Sequence, residues 1–248
     1  MLILPTGGLA AASQLPEDRQ MTFALMHAGD CKQTCTQWLS AEGVITPDTP
    51  KRFKASLKLL KGKKLPVVLQ SHGGDVDAAL AVARLIRAAG LDTALGRTVI
   101  GGCPMLDPRC PDKIVKKGWT EGEVMSAGSF CYSACTLILA GGKVRAGAGD
   151  FSIGLHQITN GRKSESYGTY SRRNLDAIST KADASLKKEL TAFFSEMGVV
   201  PEEVFFMMGL ATPEGMNLIT NVAALKSGLI TKVSNYSDQP GYVFHPQE

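Results

Sequence analysis

An α/β fold of right-handed parallel strand–helix–strand units is what this sequence predicts, and three observations carry that prediction. Val67–Gln70 is a short, largely apolar run of the kind central parallel strands need, because helices cover both of their faces. It enters the turn Ser71-His72-Gly73-Gly74 and then a segment over 75–89, where Val76, Ala79, Leu80, Ala83 and Ile86 recur at helical spacing. The rhythm returns downstream, where an apolar segment of helical length closes on Gly141-Gly142 and two further strands follow.

In chain order, residues 21–28 read as a first strand, followed by a Gly29-Asp30 turn and a pair of cysteines. Residues 38–45 read as a strand or short hairpin ending at Pro47. Thr49-Pro50 opens a helix, since proline at an early helical position forfeits no hydrogen bond, and the helix passes Phe53, Leu57 and Leu60 to a stop at Gly62. A strand over 92–95 follows the 75–89 helix. The stretch 97–128 is rich in Gly, Pro and charge, too long for a structureless loop in a compact domain, and reads as an insertion near the site. After a helix opened by Ser133 come strands over 143–146 and 151–157. A polar segment over 159–170 precedes a long helix over 171–197. A further helix starts at Pro201; its Phe205, Phe206, Met207 and Met208 suit a core or subunit interface better than a cofactor site. A helix over 222–226 and a strand over 229–233 complete the pattern, without internal repeats.

The 248 residues suit one large α/β domain, over 21–235, with 236–248 as a C-terminal tail. Residues 1–20 read as a flexible N-terminus or the remnant of a signal segment: they are apolar, then small, and approach a cleavage-like Ala11-Ala12-Ser13. No later apolar run is long enough for a transmembrane segment. The net charge is only +4, and its one concentration, seven Lys or Arg within 51–64, reads as a solvated helix face. Phe53 alone interleaves it with an aromatic ring, and no nucleic-acid motif accompanies it, so no nucleic-acid partner is expected. The six cysteines form three close pairs, Cys31/Cys35, Cys103/Cys110 and Cys131/Cys135. Their spacing is not that of zinc ribbons and histidine is scarce, so no metal site is expected. An even count favours disulfides and an oxidising compartment, periplasmic or secreted, with reduced buried thiols as the alternative.

The candidate chemistry lies in Phe130-Cys131-Tyr132-Ser133-Ala134-Cys135. Ser133 is expected in the first turn of a helix, where unpaired N–H groups and the helix dipole favour developing negative charge. It is either an acyl-transfer nucleophile or simply a helix cap. A neutral serine hydroxyl needs a base, and His156 is the nearest downstream candidate; the alternative is a structural histidine on a strand. His72 is a competing base inside the Ser71–Gly73 turn. Gly73 and Gly74 lack Cβ atoms, so their N–H groups can come close to a substrate. Cys131 and Cys135, four residues apart, would share one helix face. A thiolate nucleophile is conceivable there, but disulfides that anchor the nucleophile turn are favoured.

These stretches, in this order, resemble the Clp protease proteolytic-subunit family of the crotonase-like superfamily. The shared pattern is a strand with Ser71-His72-Gly73-Gly74 and a helix, then Ser133 opening a helix that ends in Ala140-Gly141-Gly142, then a strand with His156-Gln157. The likeness covers about 65–233 and is nearest to secreted, cysteine-bearing relatives. It implies a ClpP/crotonase-like α/β fold of stacked βαβ units with a helical C-terminal part. It also implies serine-type hydrolysis of a peptide or protein substrate, with no cofactor and a homo-oligomeric assembly. Gly73 and Ala134 would form the oxyanion hole, and His72, where the family commonly has proline, would line the substrate groove or merely replace that proline. The family's third residue, an Asp, falls here on Met216 beside Asn217, leaving Glu214 as the nearest carboxylate or a plain surface acid. Two rivals share the pattern: a fold that has lost hydrolysis and binds partners, and a crotonase-type acyl-CoA enzyme.

Overall fold

The computed structural model describes residues 19–32, 35–107, 118–147, 150–158 and 184–234. The expectations for 1–18, for the polar segment 159–170, for 171–183 of the long helix and for the tail lie outside these residues.

Strands β1 (Thr22–Ala28) and β2 (Thr36–Glu42) form an antiparallel pair. Helix α1 (Thr49–Leu59) then leads to β3 (Val67–Gln70), and α2 (Val76–Ala89) leads to β4 (Thr93–Leu95). The pairs β2–β3 and β3–β4 are parallel, the hallmark of successive βαβ units. All four residues of β3 are buried, as a doubly covered central strand requires. Asp75 caps α2 by accepting from the Ala78 N–H at 2.7 Å, and Gly90 ends it in the left-handed conformation.

The described residues of 97–128 form four short strands: β5 (Arg97–Ile100), β6 (Cys103–Pro104), β7 (Trp119–Glu121) and β8 (Glu123–Met125). Three of them form a small antiparallel sheet, β6-β5-β8, while β7 joins the far edge of the main sheet beside β1. Next come β9 (Phe130–Tyr132), α3 (Cys135–Ala140), β10 (Arg145–Gly147) and β11 (Ser152–Leu155). The C-terminal part holds α4 (Ala184–Glu196), α5 (Pro201–Gly209), β12 (Asn217–Ile219), α6 (Asn221–Ser227) and β13 (Lys232–Val233). The main sheet runs β13-β10-β4-β3-β2-β1-β7, and a second one runs β12-β11-β9.

Several details differ from the sequence expectation: the strand expected over 229–233 is only Lys232–Val233, and β12 has no counterpart in that expectation. Phe130–Tyr132 is a strand, because its backbone is captured on one side by Ser71 and on the other by β11, and this pairing outweighs the local helical pattern. The strand expected over 151–157 ends at Leu155.

The larger core lies where Leu39, Leu69, Leu80, Ile86, Leu137 and Phe194 meet, between the main sheet and its helices. The opposite face, with Met26, Trp38, Val68 and Ala94, packs against Ile100 and Val124 of the small sheet. A buried polar network ties these two sheets together. Trp38 Nε1 donates to Thr98 Oγ1 (3.2 Å), Thr98 Oγ1 to Ser40 Oγ (2.9 Å), and Ser40 Oγ and the Thr98 N–H to Glu42 Oε1 (3.0 and 2.6 Å). On the helical side, Arg145 is buried and donates to the carbonyls of Gly228, Gly142 and Met197, pinning the C-terminal helices to β10. Burial, then the neighbouring Arg87 charge, lowers its pKa to about 10, so it stays protonated at neutral pH.

Burial raises the Glu42 carboxyl pKa to about 7, against the Thr98 and Ser40 hydrogen bonds and the Arg97 charge, which oppose the rise. The folded state therefore keeps this proton over a range, from about pH 4.5 to about 7, in which the unfolded chain releases it. Stability falls as pH rises through that window, and the full cost is present above it. Urea unfolding at pH 5 and pH 8 is expected to give a loss of up to about 3 kcal/mol in the wild type, and the loss disappears in Glu42→Gln. Arg145→Ala leaves the Gly142 and Gly228 carbonyls without their side-chain donor, while the Met197 carbonyl keeps Arg87, and is expected to destabilise by about 2–3 kcal/mol in the same measurement.

Candidate active site

Ser133 sits at a sharp junction between β9 and α3 with φ +53°, the left-handed region that a residue with a Cβ rarely occupies. The expectation that it lies in the first turn of the helix is corrected: Ala134 is the N-cap, and Ser133 precedes it. Such a conformation costs on the order of 1–3 kcal/mol and persists only where the surroundings impose it. Those surroundings are specific. The Ser133 N–H donates to the Gly154 carbonyl at 2.9 Å, and its own carbonyl accepts from the Thr136 N–H (3.0 Å) and Thr136 Oγ1 (2.8 Å). Strand β9 is fixed by Ser71, whose N–H donates to the Phe130 carbonyl and whose carbonyl accepts from Tyr132. A strand–turn–helix carrying a strained serine is the geometry of a nucleophile elbow.

Gly73 packs directly against the elbow. A Cβ there would lie 2.8 Å from both Ser133 Cβ and the Tyr132 carbonyl, and 3.0 Å from the Ala134 nitrogen. Only glycine lets these segments meet, and its φ of +105° makes the same demand. The three backbone donors expected to form an oxyanion hole stand in different states. The Ala134 and Gly74 N–H groups have no acceptor among the described residues, whereas the Gly73 N–H donates to Ser71 Oγ at 3.0 Å. An oxyanion reaching Gly73 would replace a neutral hydroxyl acceptor with a charged one, an exchange that strengthens the bond. Gly74 is crowded on its other side by the Ile45 carbonyl.

His156 follows β11 immediately and is half-buried. Its Nδ1 lies 2.7 Å from the Gln157 carbonyl oxygen, which can only accept, so Nδ1 is the donor of this contact and, in the neutral ring, Nε2 is the acceptor. Gln157 is itself held against α5: its N–H donates to the Ala211 carbonyl (3.1 Å), and its side-chain amide donates to Gly209 (3.4 Å). No hydrogen bond joins Ser133 Oγ to His156 among the described residues. β9 and β11 pair in parallel, with Gly154 beside Tyr132, so both residues lie just past adjacent strand ends.

Glu214 is exposed in the turn before β12, and no hydrogen bond or ion pair joins it to His156 among the described residues. The antiparallel register of β11 and β12 pairs Leu155 with Asn217, and one step further sets Met216 beside His156. The Met216 side chain lies over Gly154, where a Cβ would meet its Sδ at 2.5 Å and Tyr132 Cδ1 at 2.7 Å. Asn217 Nδ2 is engaged elsewhere, donating to the Met207 carbonyl. His72 is exposed; its ring lies 4.1 Å from Phe130 and 5.7 Å from Tyr132, and those two stack at 5.2 Å. Together the three rings form an aromatic shelf that ends at Ser133 and Gly73.

The cysteine placement also differs from expectation. Cys131 lies on β9 and Cys135 on α3, so the pair spans the elbow instead of sharing a helix face, and the two are joined by a disulfide. Cys31 and Cys35 form a second one. Cys103 is disulfide-bonded as well, while Cys110, its neighbour in the sequence pair, lies outside the described residues. No group of three His, Cys, Asp or Glu able to hold a metal ion occurs among the described residues, and none of their helices is long and apolar enough to cross a membrane.

Ser71 and Gln157 stand in the sequence pattern, but their contacts at the candidate site are not legible in it. Gln157 acts through a main-chain carbonyl, which leaves no residue-type signature. Ser71 stood in a recognised motif, but its contact with a backbone N–H is fixed by the turn alone.

No protein-family model and no curated protein matches the chain. Among solved structures the fold is similar to an Asn-to-Asp variant of ClpP1 from Listeria monocytogenes, at 13% identity and TM-score 0.48, over 80% of this chain and 91% of that one. It is similar also to a Ser-to-Ala variant of the 1510-N membrane-bound stomatin-specific protease, at 18% identity and TM-score 0.48, over 79% of this chain and 77% of that one. A Lys-to-Ala variant of the same protease in complex with a substrate peptide matches at 18% identity and TM-score 0.48, over 79% and 73%.

Gly73→Ala and Gly62→Ala separate strain from space. Both glycines have positive φ, but nothing lies within 4 Å of a Cβ at Gly62. Gly62→Ala is expected to cost about 1 kcal/mol by thermal unfolding, and Gly73→Ala about 2 kcal/mol more.

Proposed function

We propose that the protein is a serine-type hydrolase that cleaves peptide bonds outside the cytoplasm, with Ser133 as nucleophile and His156 as its base. The observation that carries this reading is the left-handed Ser133 backbone at the β9–α3 junction, pressed against a glycine that nothing else could replace. A serine that only caps a helix has no need of this strain. In the proposed reaction Ser133 Oγ attacks the carbonyl carbon of the scissile bond as its proton passes to His156 Nε2. The tetrahedral oxyanion is received by the Ala134 N–H and by the Gly73 or Gly74 N–H. His156 returns the proton to the leaving amine, and water then releases the acyl group by the same route in reverse.

The Gln157 carbonyl takes the orienting part that a carboxylate plays in a complete triad. It fixes the useful tautomer but carries no full charge to stabilise the imidazolium, so turnover is expected to be slow. An oxidising compartment is supported by the two disulfides and the bonded Cys103, with no free cysteine among the described residues. Self-association is part of the proposal, supported by the exposed apolar side chains of Phe206, Leu210, Leu218 and Val222.

One observation favours a second reading, a binding protein that retains the fold without hydrolysis: the Gly73 N–H is already satisfied by Ser71 Oγ. A fluorophosphonate probe discriminates between the two. Labelling that vanishes in Ser133→Ala and falls about 100-fold or more in His156→Gln is the hydrolase result. Glu214→Gln is expected to label within about twofold of wild type, the range of an exposed charge that touches no reacting group. Absence of labelling in the wild type across pH 6–9 would overturn the hydrolase reading and favour the binding protein.

A further inference from the structure

We infer that the Cys131–Cys135 disulfide is the positioning element of the Ser133 elbow, so that reactivity at Ser133 exists only in the oxidised protein. The inference rests on the reading of Ser133 as nucleophile. Cys131 is the central residue of β9, Cys135 opens α3, and Ser133 lies midway between them. The bridge, with a Cα–Cα separation of 5.3 Å, therefore closes a five-residue loop, 131–135, around the one strained serine. Ala134, whose unpaired N–H is the proposed oxyanion donor, belongs to the same loop. One covalent tie thus fixes the nucleophile and the donor relative to each other.

The other anchors of this shape are non-covalent: the Ser133 hydrogen bonds to Gly154 and Thr136, the close approach of Gly73 and the burial of α3. Helix α3 is only six residues long, well below the length at which a helix sustains itself, so its first turn depends on what anchors it. The Thr136 hydrogen bonds join Ser133 to the start of α3, but only the bridge ties Cys131, inside β9, covalently to α3. Both cysteines are fully buried, at 0% exposure. Two thiols cannot approach as closely as two bonded sulfurs, so in this enclosed space reduction pushes β9 and α3 apart. A serine freed from the constraint relaxes towards ordinary backbone geometry and leaves its alignment with Gly73 and His156.

Cys31–Cys35 provides an internal control. It has the same sequence spacing, but Cys31 is exposed and the pair lies in the β1–β2 connection, outside the elbow. Reduction by a dithiol is balanced at either bridge. One reagent thiolate attacks a cysteine sulfur and displaces the other, and the second reagent thiol then resolves the mixed disulfide. The bridge gains two electrons and two protons as the reagent closes to its cyclic disulfide. Burial of Cys131 and Cys135 makes that pair the slower one to be reduced.

The test uses the full chain and a fluorophosphonate probe. Labelling rates are compared for the oxidised protein, for dithiothreitol-reduced protein with Cys131 and Cys135 mapped as thiols by alkylation and mass spectrometry, and for Cys131→Ala/Cys135→Ala. The expected result is labelling about tenfold slower or more in both altered forms, recovery on reoxidation of the reduced protein, and an unchanged rate in Cys31→Ser/Cys35→Ser. Hydrogen exchange is measured in parallel and is expected to quicken over 130–140 while the remaining segments keep their protection. Equal labelling of oxidised and reduced protein, or unchanged exchange over 130–140, overturns the inference. Global unfolding of the double alanine variant, read by circular dichroism, also overturns it, because the bridge would then be a general staple. Should the oxidised protein fail to label at all, the hydrolase reading fails, and exchange over 130–140 alone decides whether the bridge positions the elbow.

Discussion

A single backbone conformation, the left-handed turn at Ser133, is the constraint on which the rest of the site depends. L-residues avoid this region because the Cβ crowds the adjacent carbonyl, so the fold must supply what local preference refuses. It does so from four directions. Gly154 accepts the Ser133 N–H, Thr136 closes the first turn of α3, the bare face of Gly73 leaves room for the Ser133 Cβ, and the Cys131–Cys135 bridge spans the whole turn. Each contact comes from a different part of the chain, and the conformation is a consequence of their convergence.

That convergence needs a rigid base, and the buried polar groups help to provide it. Glu42, Ser40 and Thr98 fasten the small β6-β5-β8 sheet over one face of the main sheet. Behind the other face, Arg145 gathers carbonyls from three separate segments. Between these two fixtures runs β3, and the Ser71–Gly74 turn leaves directly from its end. Because unpaired polar groups are costly in the interior, each network specifies one arrangement of its partners. The turn beside Ser133 inherits that precision.

The imidazole illustrates how backbone can stand where a side chain was expected. Met216, not an acid, follows from the β11–β12 register as the neighbour of His156, and the Gln157 carbonyl meets Nδ1 instead. A carbonyl dipole selects the tautomer as an aspartate would, but it offers a partial charge to an imidazolium that needs a full one. Under the proposed hydrolase reading, orientation is retained while electrostatic stabilisation is reduced.

Local patterns were enough to determine the βαβ rhythm around β3, the capped helix α2, the close cysteine pairs and the apolar segment after Ser133. Each is written in residues adjacent along the chain, through periodicity, caps and glycine punctuation, which act over a few residues. The strand at Phe130–Tyr132 could not be read that way, because its hydrogen bonds go to Ser71 and to β11, both distant in sequence. For the same reason the elbow angle at Ser133, the occupied Gly73 N–H and the carbonyl behind His156 belong to tertiary structure alone. Residue types announce which chemistry is available, but where a backbone N–H or carbonyl points is decided only when remote segments pack together.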